Sequence, residues 1–119
     1  MFEITVQGSF SAAHQVRGYK GDCGSVHGHT YRIEVKVEVG KLDELGMAMD
    51  FRKIKRVLNK ILGELDHKNL NALLFFKKHN ATAEWIAFYI FQEVKKKIKN
   101  IKSVTVWEGN ENAVTYQEK

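Results

Sequence analysis

The hydrophobic pattern of this chain changes period twice, from two residues to between three and four and back to two. No other feature restricts the fold as much. Phe2, Ile4, Val6, Gly8, Phe10 and Ala12 lie on one face of an alternating stretch, with Glu3, Thr5, Gln7, Ser9 and Ser11 on the other. Tyr31, Ile33, Val35, Val37 and Val39 alternate in the same way with Arg32, Glu34, Lys36 and Glu38. Such patterns describe strands with one buried face. Sequential strands usually pair, so these two are expected as antiparallel neighbours around a glycine-rich loop from Gln15 to Val26. Turn residues fill Gly40 to Gly46. Phe51, Ile54, Leu58, Ile61, Leu62 and Leu65 then recur at helical spacing, with Asp50 placed as N-cap.

A second helix is expected from Thr82 to Lys99, capped by Thr82 and striped by Ile86, Ile90, Val94 and Ile98. Lys95, Lys96, Lys97 and Lys99 crowd its C-terminal end, where cations suit the helix dipole. Ile101 to Glu108 and Asn112 to Gln117 close the chain as a hairpin through Gly109-Asn110-Glu111-Asn112. The order ββααββ predicts an α+β domain over residues 1–119, with two helices on one face of a four-stranded antiparallel sheet. The other face must be polar or used for assembly.

Composition narrows the function. No apolar run approaches the ~20 residues of a membrane helix, and the alternating N-terminus lacks the basic-then-apolar order of a signal peptide. Cys23 is the single cysteine, so no internal disulfide staples the fold and a reducing, cytoplasmic compartment is expected. With no proline in the chain, Gly, Asn and Asp must end the helices. The net charge of +5 leaves phosphate-bearing partners open. The rival to an enzyme is a zinc-stabilised nucleic-acid module, but a base-stacking platform needs exposed aromatics interleaved with basic residues. Here the aromatics fall mostly on core stripes and the lysines gather at a helix end, so no nucleic-acid partner is expected.

The chemistry concentrates in histidines. His27 and His29 are two apart and share a face of an extended chain. His14 continues the apolar face of the first strand, so in an antiparallel hairpin all three meet at the loop end, facing the helices. Three neutral imidazoles suit zinc, with a fourth position left for water or substrate. The plainer alternative is three polar residues at strand ends. Cys23 lies in the loop segment Gly21-Asp22-Cys23-Gly24-Ser25, where a metal or imidazole would favour its thiolate as base or nucleophile; otherwise it is a small buried hydrophobe. In Asp66-His67 the carboxylate can orient the imidazole, or the pair simply ends a helix. Glu108 is in phase with Val104 and Val106 on the helix-facing stripe. There it can accept paired N–H donors from a nitrogen-rich ring or escape to water beside Gly109. His79 is given no role.

Taken in order, Phe10-Ser11-Ala12-Ala13-His14, Cys23-Gly24-Ser25-Val26-His27-Gly28-His29, Met49-Asp50-Phe51, Leu65-Asp66-His67, Thr82-Ala83-Glu84 and Val106-Trp107-Glu108 resemble the 6-pyruvoyl-tetrahydropterin synthase family. The likeness is strongest to its short bacterial and archaeal branch, the 6-carboxy-5,6,7,8-tetrahydropterin synthases of 7-deazaguanine (queuosine and archaeosine) biosynthesis. The resemblance implies a tunnelling fold, with trimers stacked as a homohexamer and sites at subunit interfaces. It implies Zn2+ on His14, His27 and His29, and Cys23 as proton acceptor. Asp66 and His67 would share a proton relay, Glu108 would anchor the pterin and join that relay, and Thr82 would help hold the ring. The implied substrate is 7,8-dihydroneopterin triphosphate, with Arg17 or Lys20 placed to meet the phosphates. The products would be a 6-carboxy pterin, acetaldehyde and triphosphate, or in the sister branch a pyruvoyl pterin after triphosphate elimination alone. Two departures stand out. Ala81 occupies a position where the family often has proline, and Cys23 is kept where a folate-pathway branch has glutamate.

Overall fold

Both N-terminal alternations form strands of 13 residues, β1 (Phe2–His14) and β2 (His27–Val39). They pair antiparallel along their whole length, from Phe2 opposite Val39 to His14 opposite His27. β3 (Ile101–Glu108) lies against β2, and β4 (Asn112–Gln117) against β3. The sheet order β1-β2-β3-β4 is entirely antiparallel. The computed structural model describes residues 1–21 and 24–118.

Among the described residues three α-helices cover one face: α1 (Phe51–Leu65), α2 (Leu74–Lys78) and α3 (Ala83–Lys95). α1 packs on β1, and α3 packs on β3 and β4. Ile54, Leu58, Ile61, Leu62 and Leu65 of α1 and Ile86, Ile90 and Val94 of α3 are buried against Ile33, Val35, Val104 and Val106 of the sheet. Gly8 lets α1 come close: a Cβ there would sit 2.8 Å from Leu62 Cδ1. The opposite face carries polar side chains, including Glu3 bridged to Lys36 and Lys102 and Arg32 stacked on Trp107. Among the described residues no helix is long and apolar enough to cross a membrane.

Three expectations are revised. The second helix stops at Lys95, with Lys96 as its C-cap. A continued helix would stack four lysines on neighbouring turns, where like charges repel. The chain instead turns, and Asn100 bonds Glu38 O at 2.8 Å to enter β3. Ile98 is still buried, through that turn. The segment after α1 is also richer than a plain turn: a 3-10 turn at Leu70–Ala72 and α2 precede α3. A five-residue helix is too short to show a period. Phe2 and Phe51, placed on core faces, are 48% and 63% exposed. Both begin their elements, where the sheet and helix layers no longer overlap.

Candidate functional site

The three histidines come together as the strand register requires. His14 ends β1 opposite His27, and Ala12 lies opposite His29, so alternation turns all three toward the helices. Their ring centroids are 4.5, 5.1 and 4.7 Å apart. His14 is buried, and its Nδ1 lies 2.6 Å from Ala81 O at the entry to α3. His27 Nδ1 lies 2.6 Å from Ser25 O. A carbonyl can only accept, so each Nδ1 carries the proton and each Nε2 keeps a free lone pair. His14 Nε2 and His29 Nε2 are buried without hydrogen-bond partners. Burial holds the His29 ring below its ordinary pKa, helped by the His14 and His27 rings and opposed by Glu108. A neutral imidazole is the form that binds a metal.

Glu108, at the end of β3, joins this group. One donor atom each from His14, His27, His29 and Glu108 lie within 4.8 Å of one another, and Glu108 Oε1 approaches His29 Nε2 to 3.0 Å. The four residues could hold a metal ion, and an orphaned buried nitrogen on two of the histidines fits that use. Sequence reasoning did not mark Tyr31 beyond the core. It stacks on Phe10, presents its ring to His14 and His29, and buries a hydroxyl with no partner. Two residues after His29 on an inward face, a polar tip was the only available signal. The carbonyls of Ala81 and Ser25 left no signal at all, since any residue supplies one.

Asp66 and His67 are not in the cluster. They run along the outer edge of β1: Ser11 N donates to Asp66 Oδ1 at 2.8 Å, and His67 N donates to Ser11 O at 2.6 Å. His67 Nδ1 lies 3.0 Å from Asp66 Oδ2, and its side chain is 84% exposed. His67 also holds a φ of 58°, a left-handed conformation unusual for a residue with a Cβ. The backbone bond from Ser11 is the main cause holding the Asp66 carboxyl below its usual range, with the His67 ring adding to it. The pair ends α1 and brings the Asp66 carboxylate beside an exposed imidazole.

Thr82 caps α3, its Oγ1 accepting from Trp85 N at 3.2 Å, and Ala83 next to it lines a small hollow with Glu108. Arg17 is tied down, donating to Phe76 O at 2.8 Å. Cys23 lies outside the described residues. Its neighbour Gly24 is tightly placed: a Cβ there would overlap the Tyr19 carbonyl, and Gln15 Nε2 bonds Gly24 O at 2.8 Å. Gly24 is thereby held next to the end of β1.

Residues 3–119 match the family model described as 6-pyruvoyl tetrahydropterin synthase. An Archaeoglobus fulgidus protein named putative 6-carboxy-5,6,7,8-tetrahydropterin synthase is 40% identical over 108 residues, covering 91% of this chain and 89% of that protein. A Pyrococcus furiosus protein named dihydroneopterin monophosphate aldolase is 39% identical over 114 residues, 93% of each chain. The structure of Caenorhabditis elegans 6-pyruvoyl tetrahydropterin synthase superposes with a TM-score of 0.90 at 31% identity, covering 99% of this chain and 96% of that one.

Proposed function

Because the chain belongs to the 6-pyruvoyl tetrahydropterin synthase family, we propose that it converts 7,8-dihydroneopterin triphosphate to 6-carboxy-5,6,7,8-tetrahydropterin, releasing acetaldehyde and triphosphate. The observation that carries this reading is the convergence of three imidazoles whose Nδ1 protons are fixed by carbonyls or whose Nε2 atoms are orphaned. That donor set fits Zn2+. Bound there, zinc would act as a Lewis acid toward the hydroxyls of the substrate side chain.

The chain's own residues take the remaining roles. Glu108 accepts the paired N–H donors of the pterin ring, and the hollow it shares with Ala83 leaves room beside it. Cys23 is the base that takes a proton from the substrate side chain. Asp66 holds the His67 ring in orientation for the complementary transfer. Thr82 positions the ring region by capping α3. The assembly we propose is a homohexamer of two stacked trimers. It is supported by the edge strand β4 and by the part of the β1 edge before Ser11, which residues 66–68 do not cover, because open edges invite strand pairing between copies. The single cysteine supports a cytoplasmic setting, and a 6-carboxy pterin product would give the chain a place in 7-deazaguanine biosynthesis.

A second reading has its own observation: the Pyrococcus furiosus relative, at nearly the same identity, is named an aldolase for dihydroneopterin monophosphate. The test is mass spectrometry of products after feeding purified, zinc-loaded protein the triphosphate or the monophosphate, beside Cys23→Ala. A 6-carboxy product with acetaldehyde from the triphosphate, lost in the variant, supports the first reading. A pyruvoyl product moves the chain to the sister branch, and turnover of the monophosphate alone makes it an aldolase.

A further inference from the structure

The ladder between β1 and β2 ends at His14, yet the backbone just beyond it is still paired, and its partners are side chains. Gln15 N donates to Asn71 Oδ1 at 2.7 Å, and Asn71 Nδ2 donates back to Gln15 O at 2.9 Å. Two residues on, Arg17 N donates to Asn80 Oδ1 and Asn80 Nδ2 donates to Arg17 O, both at 3.1 Å. Each amide group thus takes the N–H and the C=O of one residue, as an antiparallel strand would. An N–H only donates and a C=O only accepts, so this pairing also fixes which way round each amide sits. Two bonds to one residue set its rotation as well as its place, whereas a single bond would let it pivot. The proposed reaction gives neither asparagine a role.

What the two clamps hold in place is a pair of carbonyls. Asn80 directly precedes Ala81, whose carbonyl lies 2.6 Å from His14 Nδ1. Its grip on Arg17 therefore ties the strand that supplies the ring to the loop that supplies the ring's partner. Gln15, gripped by Asn71, reaches with its own side chain to Gly24 O at 2.8 Å. The next carbonyl along the chain, that of Ser25, lies 2.6 Å from His27 Nδ1. We propose that Asn71 and Asn80 are positioning residues for the histidine cluster, holding the Ser25 and Ala81 carbonyls against His27 and His14 so that both rings keep Nε2 free. Asn80 acts on His14 through the adjacent peptide, and Asn71 acts on His27 through Gln15, so their effects are separable. The use of those free nitrogens for a metal rests on the reading above; the positioning itself does not.

The test reads the ring tautomers. Long-range 1H–15N spectra of the histidine rings, taken on the metal-free full chain at a pH where imidazole is neutral, separate Nδ1–H from Nε2–H. Wild-type His14 and His27 should be almost wholly Nδ1–H. Asn80→Ala should raise the Nε2–H share of His14 at least about threefold, and Asn71→Ala should do the same for His27. Asn80→Asp keeps the acceptor for Arg17 N and loses the donor to Arg17 O, so it should fall between wild type and Asn80→Ala. Asn100→Ala is the control: it loses the same kind of bond, to Glu38 O at 2.8 Å, at the other end of the sheet, and should leave both rings unchanged. On the Co(II)-loaded proteins, release to excess chelator should be at least about fivefold faster in Asn80→Ala than in the wild type. Wild-type tautomers in Asn71→Ala, Asn80→Ala and Asn80→Asp would overturn the inference whatever the release rates. Rings moved equally by Asn100→Ala would also overturn it, because any loss of stability would then suffice. A wild type that takes up no Co(II) sinks the metal reading instead, and the tautomer comparison still decides the positioning.

Discussion

Replacing Tyr31 with phenylalanine should make the protein more stable. Tyr31 is 0% exposed, and its hydroxyl has no hydrogen-bond partner. Burial, with the Glu108 charge adding to it, pushes that hydroxyl's pKa far up, so it stays neutral. Burying an unpaired hydroxyl costs about 1–3 kcal/mol by mutational measure. Phenylalanine keeps the ring, its stack on Phe10 at 4.9 Å and its edge contacts with His14 and His29, and removes only the oxygen. The loss of the oxygen's own packing contacts offsets part of the gain. The net effect should be stabilisation by about 1 kcal/mol, which for a domain of this size is about 4 °C in Tm. The assay is thermal and urea unfolding at equal protein concentration, with a chelator present so that metal linkage does not enter. A variant less stable than the wild type by more than about 0.5 kcal/mol would refute the reasoning, because it would show that the hydroxyl is paired in solution.

Three other outcomes follow from the geometry. If the cluster holds a metal, His14→Ala should lower its affinity by at least a hundredfold, since it removes a donor whose orientation Ala81 O fixes; competition with a chromogenic chelator measures it. His67→Gly should change stability by less than about 0.5 kcal/mol, because glycine accepts the φ of 58° while adding unfolded-state freedom; turnover should fall by about 10²–10⁴-fold if the imidazole transfers a proton. Glu118 is held at a pKa of about 2, below the usual 4.5, chiefly by Lys95 and then by Tyr116 and Gln92. Its folded pKa is depressed, so its contribution to stability is full above about pH 4.5 and is lost as pH falls toward 2. Glu118→Gln should therefore flatten the acid limb of a denaturation-versus-pH series without shifting its neutral end relative to neighbouring pH values.

The strands and the histidine site were legible for one reason: alternation is a strict rule. Once Phe10, Ala12 and His14 share a face and pair with Tyr31, His29 and His27, no choice of side-chain rotamer can put the imidazoles on different sides of the sheet. Helix ends obey weaker rules. Ile98 fits the stripe of α3 by spacing, yet the chain buries it from a turn after Lys96, and spacing cannot tell those two routes apart. α2 was invisible because Phe76 is its one fully buried side chain, and one residue carries no period. The tautomer-fixing carbonyls of Ser25 and Ala81 were out of reach for a deeper reason: they belong to the backbone, so only the path of the chain brings them to the rings.

The placement of Asp66 and His67 makes a final demand on the function. They hydrogen-bond the outer edge of β1, whereas Glu108 lies on β3, with β2 between the two strands. Three strand spacings of about 4.8 Å separate the two positions, roughly 14 Å, which is beyond proton-transfer contact of about 3 Å. His67 shares a shallow depression with Ser11, Ala12, Ala13, Gly28, His29 and Thr30, so it opens toward the β2 side of the histidine cluster but not toward Glu108 on β3. A relay in which Glu108 and His67 touch directly therefore does not close within one chain. It needs a second copy whose β1 edge lies beside the first copy's cluster. Complementation decides this. Mixing inactive Glu108→Ala and His67→Gly proteins, unfolding them together and refolding should regenerate about a quarter of wild-type sites, because a random assortment pairs one intact cluster with one intact His67 in about one interface of four. If the mixture stays as inactive as its components while forming the same oligomer, the two residues act within one chain or His67 has no part in the chemistry.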